Sequence, residues 1–248
     1  MRRAVPALLA LALASTGCAH AARQGPTFPE GTARAHVDHG EDGRWIVREP
    51  TRLDPLAPGF VRPYPLERIY GTFGDCRPGG RQHRGLDIGG VGEHHGLGTP
   101  IRSMVRAEVI GLYRPEDDPG RWGRRDTRGG VTVRRGAELP RALQVPGYGE
   151  VHFFTRDHGS AYAGVMVVTR GVGGPLDGHQ IRYMHLGEVH PGLSPGVVVE
   201  AGQELGLMGG TAIMESLPHV HIDIEDEGGS RVDVAPFLGM EPDRGRCE

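Results

Sequence analysis

The hexapeptide His219-Val220-His221-Ile222-Asp223-Ile224 alternates polar and apolar side chains. In an extended strand residues i and i+2 share a face. Val220 and Ile222 therefore look into a core, while His219, His221 and Asp223 look the other way. Upstream, Gly202-Gln203-Glu204-Leu205-Gly206-Leu207-Met208-Gly209-Gly210 spaces its glycines as tight turns and bulges do. Working outward, Arg68–Phe73, Pro100–Leu112, Gly164–Thr169, Gln180–His185, Gly196–Val199 and Val220–Ile224 read as strands, short apolar runs punctuated by Gly. No stretch supports a helix longer than about two turns. The pattern predicts a mainly β domain built from antiparallel strands.

Composition sets the limits. Of 248 residues, 41 are Gly and 20 are Pro, a quarter of the chain in residues that break regular elements. A hydrophobic fraction of 38% and a net charge of −3 argue against a wholly disordered protein. The same near-neutral charge excludes a nucleic-acid partner, which requires a concentrated basic face. Every basic side chain is Arg and none is Lys, to which no function is attached.

Residues 1–17 read as an export signal of the lipoprotein type. Arg2 and Arg3 precede the apolar run Ala4–Ala14, and Ser15-Thr16-Gly17-Cys18 follows. Eleven apolar residues are too few for the ~20 that span a bilayer, but they suit a signal peptide. Cys18 after small residues resembles the bacterial lipobox, although Ser15 stands where Leu is usual; an ordinary signal cut near Ala19 or Ala22 is the alternative. Lipidated Cys18 implies a membrane anchor, and Ala19 after it points to the outer membrane facing the periplasm. Residues 18–62, rich in Pro, Gly and Arg, read as a flexible tether, with a short strand around Arg44–Arg48. Residues 63–240 form the folded domain, and 241–248 a C-terminal tail. Within the domain, about 114–160 reads as a charged, partly ordered insertion in which Val131–Arg134 and Val151–Thr155 form a small hairpin. Cys76 and Cys247 invite a disulfide in an oxidising compartment, the alternative being two free thiols.

Two imidazoles side by side on an apolar strand call for a use, and zinc accepts neutral imidazole nitrogens and a carboxylate oxygen. His83-Arg84-Gly85-Leu86-Asp87 supplies a second group of ligand types. Two His and one carboxylate leave a fourth position for water, the arrangement of catalytic rather than structural zinc. By spacing alone, both His219 and His221 are able to bind metal. A third pattern is Ile181-Arg182-Tyr183-Met184-His185-Leu186, an alternating strand that ends in a histidine.

In this order, H-x-x-x-D, Tyr-x-His-Leu, the Gly-Gln-x-Leu-Gly-x-x-Gly turn and H-x-H resemble the lysostaphin-type zinc metallopeptidases that cut peptidoglycan cross-links. The resemblance runs from about Tyr70 to Ile224 and includes Gly98-Thr99-Pro100-Ile101. It implies the antiparallel β domain of that family, a duplicated hybrid motif-like fold. It also implies one zinc per domain held by His83, Asp87 and His221, with His185 and His219 as active-site histidines that do not bind metal. The implied reaction is hydrolysis of a peptide bond in peptidoglycan. One departure is Gly210-Thr211-Ala212-Ile213-Met214-Glu215-Ser216-Leu217-Pro218, where the family carries Thr-Gly and a further Gly before H-x-H. The insertion is also longer than the family loop, able to cap the cleft or meet a regulatory protein partner. All five site positions are kept, unlike scaffold members that have lost ligands. The alternative from another class is a binding module without catalysis that holds peptidoglycan or activates another hydrolase.

Among the remaining histidines, His94-His95 read as a solvated loop before a second metal site, and His152, His158, His179 and His190 as surface residues. Asp223 is placed either to orient His221 or as an exposed strand carboxylate. Tyr183, sharing a face with His185, either lines the groove or packs in the strand.

Overall fold

The computed structural model describes residues 59–240, apart from 67, 78–80, 91, 129, 134–136, 157–162 and 214–216, together with residue 56 and the stretches 37–39 and 45–47. Among the described residues eighteen strands follow in chain order: β1 (Val37–His39), β2 (Trp45–Val47), β3 (Arg68–Gly71), β4 (Cys76–Arg77), β5 (Arg81–Gln82), β6 (Leu86–Gly89), β7 (Pro100–Arg102), β8 (Ala107–Tyr113) and β9 (Gly130–Val133). They continue as β10 (Ala137–Pro140), β11 (Ala142–Val145), β12 (Gly149–His152), β13 (Val165–Gly171), β14 (Gln180–Val189), β15 (Val198–Val199), β16 (Glu204–Met208), β17 (His219–Glu225) and β18 (Arg231–Val232). No described helix exceeds four residues, α1 (Pro119–Trp122) being a single turn, and none is long and apolar enough to cross a membrane.

Twelve strands form one antiparallel sheet whose main path runs β1-β2-β3-β6-β17-β14-β13-β8-β15, with β16 joining β14 to β7. The fold is mainly β and antiparallel, as the alternation predicts. Its core collects Ile69, Leu86, Ile88, Ile101, Val167, Ile181, Val220, Ile222 and Ile224, all buried. Val220 and Ile222 point into this core as read from the sequence.

Several boundaries differ from the sequence reading. Pro100–Leu112 is two strands, divided at Ser103, whose hydroxyl donates to the Val105 carbonyl at 2.7 Å and makes a turn without Gly or Pro. The Gly-rich stretch read as a turn contains β16, paired with both β14 and β7. There Gly206 serves close approach of backbones: a Cβ at this position would lie 2.3 Å from the Glu188 carbonyl oxygen. The segment read as ending at His185 continues to Val189.

The insertion contains two hairpins instead of one. β9 pairs with β10, and β11 with β12. Val131, Val133, Leu139, Val151, Phe153 and Phe154 form a second small core with Leu97, Leu207 and Leu217. Arg125 fastens this lobe to the main sheet. Its guanidinium donates to the carbonyls of His152 (2.7 Å) and Gly187 and pairs with Glu188 at 3.0 Å.

Cys247 and residues 1–36, Cys18 among them, lie outside the described residues. Residues assigned to the tether do reach the domain: β2 pairs with β3, and Phe60 is buried, stacked on Phe237 with ring centroids 5.5 Å apart.

Candidate metal centre and active site

Cross-strand register builds the centre. β6 lies antiparallel to β17, with Asp87 directly opposite His221, so their side chains meet on one face. His83 enters from the turn between β5 and β6. That turn is held by a backbone pair, with Gly74 donating to the His83 carbonyl at 2.8 Å and His83 donating to Asp75 at 2.7 Å. Gly85 allows the approach, because a Cβ there would lie 2.3 Å from the Ile222 carbonyl oxygen and 2.8 Å from His221 Nε2.

His83 Nε2, Asp87 Oδ1 and His221 Nδ1 converge, with separations of 3.1, 3.0 and 2.7 Å. This is the metal-capable group among the described residues. His83 Nδ1 donates to the Thr72 carbonyl at 2.9 Å, which leaves the Nε2 lone pair facing the centre. Tetrahedral zinc with bonds of ~2.0–2.1 Å separates its ligands by ~3.3 Å; the His83 atom stands within about 0.3 Å of that spacing from its two neighbours, and the Asp87–His221 pair at 2.7 Å would open by about 0.6 Å. The donor set fits zinc.

Two further histidines face the same point. His185 Nδ1 donates to the Thr211 carbonyl at 3.0 Å, and His219 Nδ1 to the Leu217 carbonyl at 2.9 Å. In each the Nε2 edge is left to act on whatever occupies the centre. The ring centroids of His185 and His219 are 5.1 Å apart, and Tyr70 meets the His219 ring edge-on at 5.8 Å.

Electrostatics separates His221 from His185 and His219. Burial, then the neighbouring His219 and His221, hold His185 well below the usual range for histidine. Burial likewise lowers His219, against Asp87 and the Leu217 carbonyl. Both are neutral near pH 7. Burial opposes a charge on His221 as well, but Asp223 and Asp87 outweigh it and push the ring up to about 9. Asp87 is held well below the usual carboxylate range: burial works to raise it, but His219 and the hydrogen bonds from His221 and His83 prevail. Arg77 adds a contact of 2.6 Å to Asp87 Oδ2. Nothing in the sequence marks Arg77, which reaches the carboxylate across Gly71, where a Cβ would meet its guanidinium.

Asp223 is buried rather than exposed. Its Oδ2 is 3.8 Å from His221 Nε2, and its Oδ1 accepts from Arg182 at 3.0 Å and Arg231 at 2.8 Å. Tyr183 does not share a face with His185. The pairing of β13 with β14 shifts between Val165 and Val167, and His185 sits at the bulge with φ +64°. One extra residue reverses the alternation, so Tyr183 is buried in the main core, accepting from the Met104 amide at 3.0 Å, while His185 turns to the centre. His94 and His95 lie on a short turn with φ +51° and +54°, where His94 contacts Glu93 at 3.3 Å, apart from the centre. Thr211, which sequence reasoning treated as part of a variant loop, is a buried partner of His185.

The fold and the site together define an antiparallel β protein with a His–Asp–His centre suited to zinc and two neutral histidines beside it. No family model matches the sequence, and no curated protein matches it. Among solved structures the chain is similar to lysostaphin-type peptidases. Against the catalytic domain of the antimicrobial peptidase lysostaphin from Staphylococcus simulans, identity is 19% over 68% of this chain and 90% of that one, with a TM-score of 0.41. Against a zinc-containing peptidase from Vibrio cholerae, identity is 19% over 84% of this chain and 47% of that one, with a TM-score of 0.41. Against LytU, identity is 17% over 73% of this chain and 90% of that one, with a TM-score of 0.42. The chain thus spans about half the length of the Vibrio cholerae protein.

Proposed function

We propose that this protein is a zinc-dependent endopeptidase that hydrolyses peptide bonds in peptidoglycan stem peptides or cross-links. The observation that carries the reading is the convergence of His83, Asp87 and His221 with two neutral, carbonyl-anchored histidines on the same point. His83, Asp87 and His221 would hold a zinc ion, which when bound would supply Lewis acidity and lower the pKa of a water to ~7. His219 and His185 then act through Nε2. A neutral imidazole with its Nδ1–H tied to a carbonyl presents a lone pair that takes a proton from water, work worth ~10²–10⁴-fold. Once protonated, the same nitrogen donates to the oxyanion or returns the proton to the departing amine.

Purified protein is expected to hold about one zinc and to release fragments from cell-wall sacculi. His83→Ala should lose both properties, and His219→Ala should keep zinc while losing hydrolysis. Full activity in zinc-free protein refutes the reading. Equal, negligible hydrolysis by wild type and His219→Ala, with zinc in both, favours a module that binds peptidoglycan or activates another hydrolase. The export signal extends the proposal to a lipid anchor on Cys18 at the cell envelope, in the outer membrane facing the periplasm. Membrane association and acyl mass that disappear in Cys18→Ser test this extension.

A further inference from the structure

His185 occupies a backbone conformation that a histidine does not hold unaided. Its φ of +64° lies in the left-handed region, which is unfavourable for an L-residue. The bulge opens the ladder between β13 and β14, and one buried side chain fills the gap. Thr211 Oγ1 accepts from the Val165 amide at 2.9 Å and donates to the Leu186 carbonyl at 2.7 Å. Gly164 makes room for it, since a Cβ there would lie 2.3 Å from Thr211 Oγ1. The Thr211 carbonyl then accepts from His185 Nδ1. One threonine thus closes the bulge with its hydroxyl and sets the imidazole with its carbonyl.

Thr211 in turn is held by the insertion. Its neighbour Ala212 is also left-handed, with φ +63°, and its amide donates to Thr155 Oγ1 at 2.8 Å. On the other side, the Gly210 amide donates to the Phe153 carbonyl at 2.9 Å. Thr155 and Phe153 are fully buried at the exit of the second insertion hairpin. A turn containing a strained alanine persists only where its surroundings over-determine it. Here those surroundings belong to residues 153–155.

We infer that Thr155 is a positioning residue for the reaction: by holding the 210–212 turn it keeps the Thr211 carbonyl against His185 Nδ1, so that Nε2 carries the lone pair. The insertion is thereby part of the active site's support. The role in turnover rests on the peptidase reading above, whereas the positioning itself does not.

The test compares zinc-loaded wild type, Thr155→Val and Thr155→Ser. Long-range ¹H–¹⁵N spectra report the tautomer of His185, and sacculus hydrolysis reports turnover. Thr155→Val is expected to populate the Nε2–H tautomer of His185 and to lose at least about tenfold in kcat, a part of the ~10²–10⁴-fold a general base contributes. KM and zinc content should stay unchanged, and Thr155→Ser should restore both signatures. If Thr155→Val does not fold, Thr155→Cys, of similar volume with a weak acceptor, is read in its place. A wild-type tautomer in the variant overturns the inference, as does a shifted tautomer with unaltered turnover. A wild type that hydrolyses nothing sinks the peptidase reading, while the tautomer comparison still decides the positioning.

Discussion

Replacing Asp223 by Asn keeps the side-chain shape and removes one negative charge from beside His221. Asp223 Oδ1 accepts from Arg182 and Arg231, and Oδ2 lies 3.8 Å from His221 Nε2. Hydrogen bonds to charged groups contribute ~1.5–3 kcal/mol each, so losing both without compensation would be costly. Glu225 limits it: its carboxylate lies 3.0 Å from Arg182 and 3.1 Å from Arg231, keeping both guanidinium groups paired. The Asn carbonyl still accepts from one of them, and both arginines are partly solvated. The loss in unfolding free energy should therefore be ~1–2 kcal/mol. The larger effect falls on the metal. Removing the carboxylate behind a ligating imidazole typically lowers affinity ~10–100-fold, because ring orientation and basicity both suffer. Competition for zinc against a chelator of known strength measures the second effect, and urea unfolding of the metal-free protein the first. An Asp223→Asn protein that is destabilised yet binds zinc as wild type does would refute the role given to this carboxylate.

Gly85→Ala should abolish zinc binding, since its Cβ would press on the Ile222 carbonyl and the His221 ring; metal content of the folded variant checks this. Tyr183→Phe leaves the buried Met104 amide without its 3.0 Å acceptor, a cost of ~1–3 kcal/mol visible in chemical unfolding. Zinc binding at pH 7.5 should release at least about one proton: metal-free His221 sits at about 9 and holds its proton there, whereas ligation needs the lone pair. The apparent affinity should accordingly rise as pH increases toward 9, and calorimetry in buffers of different ionisation enthalpy counts the protons.

The His83–Asp87–His221 cluster was largely legible because its two halves are local patterns. H-x-H on an alternating strand puts both imidazoles on one face, and the Asp87–His221 pair follows once β6 lies beside β17. The support around it was not legible. A left-handed histidine carries no mark in the residue code, so alternation placed Tyr183 and His185 together where the bulge separates them. Ser103 makes a turn with its hydroxyl where Gly or Pro would have announced one. Gly206 announces a turn where a strand needs backbone proximity. Thr211 and Thr155 act through contacts between segments tens of residues apart, which no local window contains.

The antiparallel sheet does not begin at the domain's apparent start. Its outermost rows, β1 (Val37–His39) and β2 (Trp45–Val47), come from the leading segment, β2 pairing with β3 and β1 with β2. A chain shortened beyond residue 47 would bare the edge of β3 at Arg68 and Ile69, where β2 now pairs, a ready template for another molecule's strand. The leading segment thus works as a selvedge, ending the weave in two three-residue rows too short to recruit a neighbour.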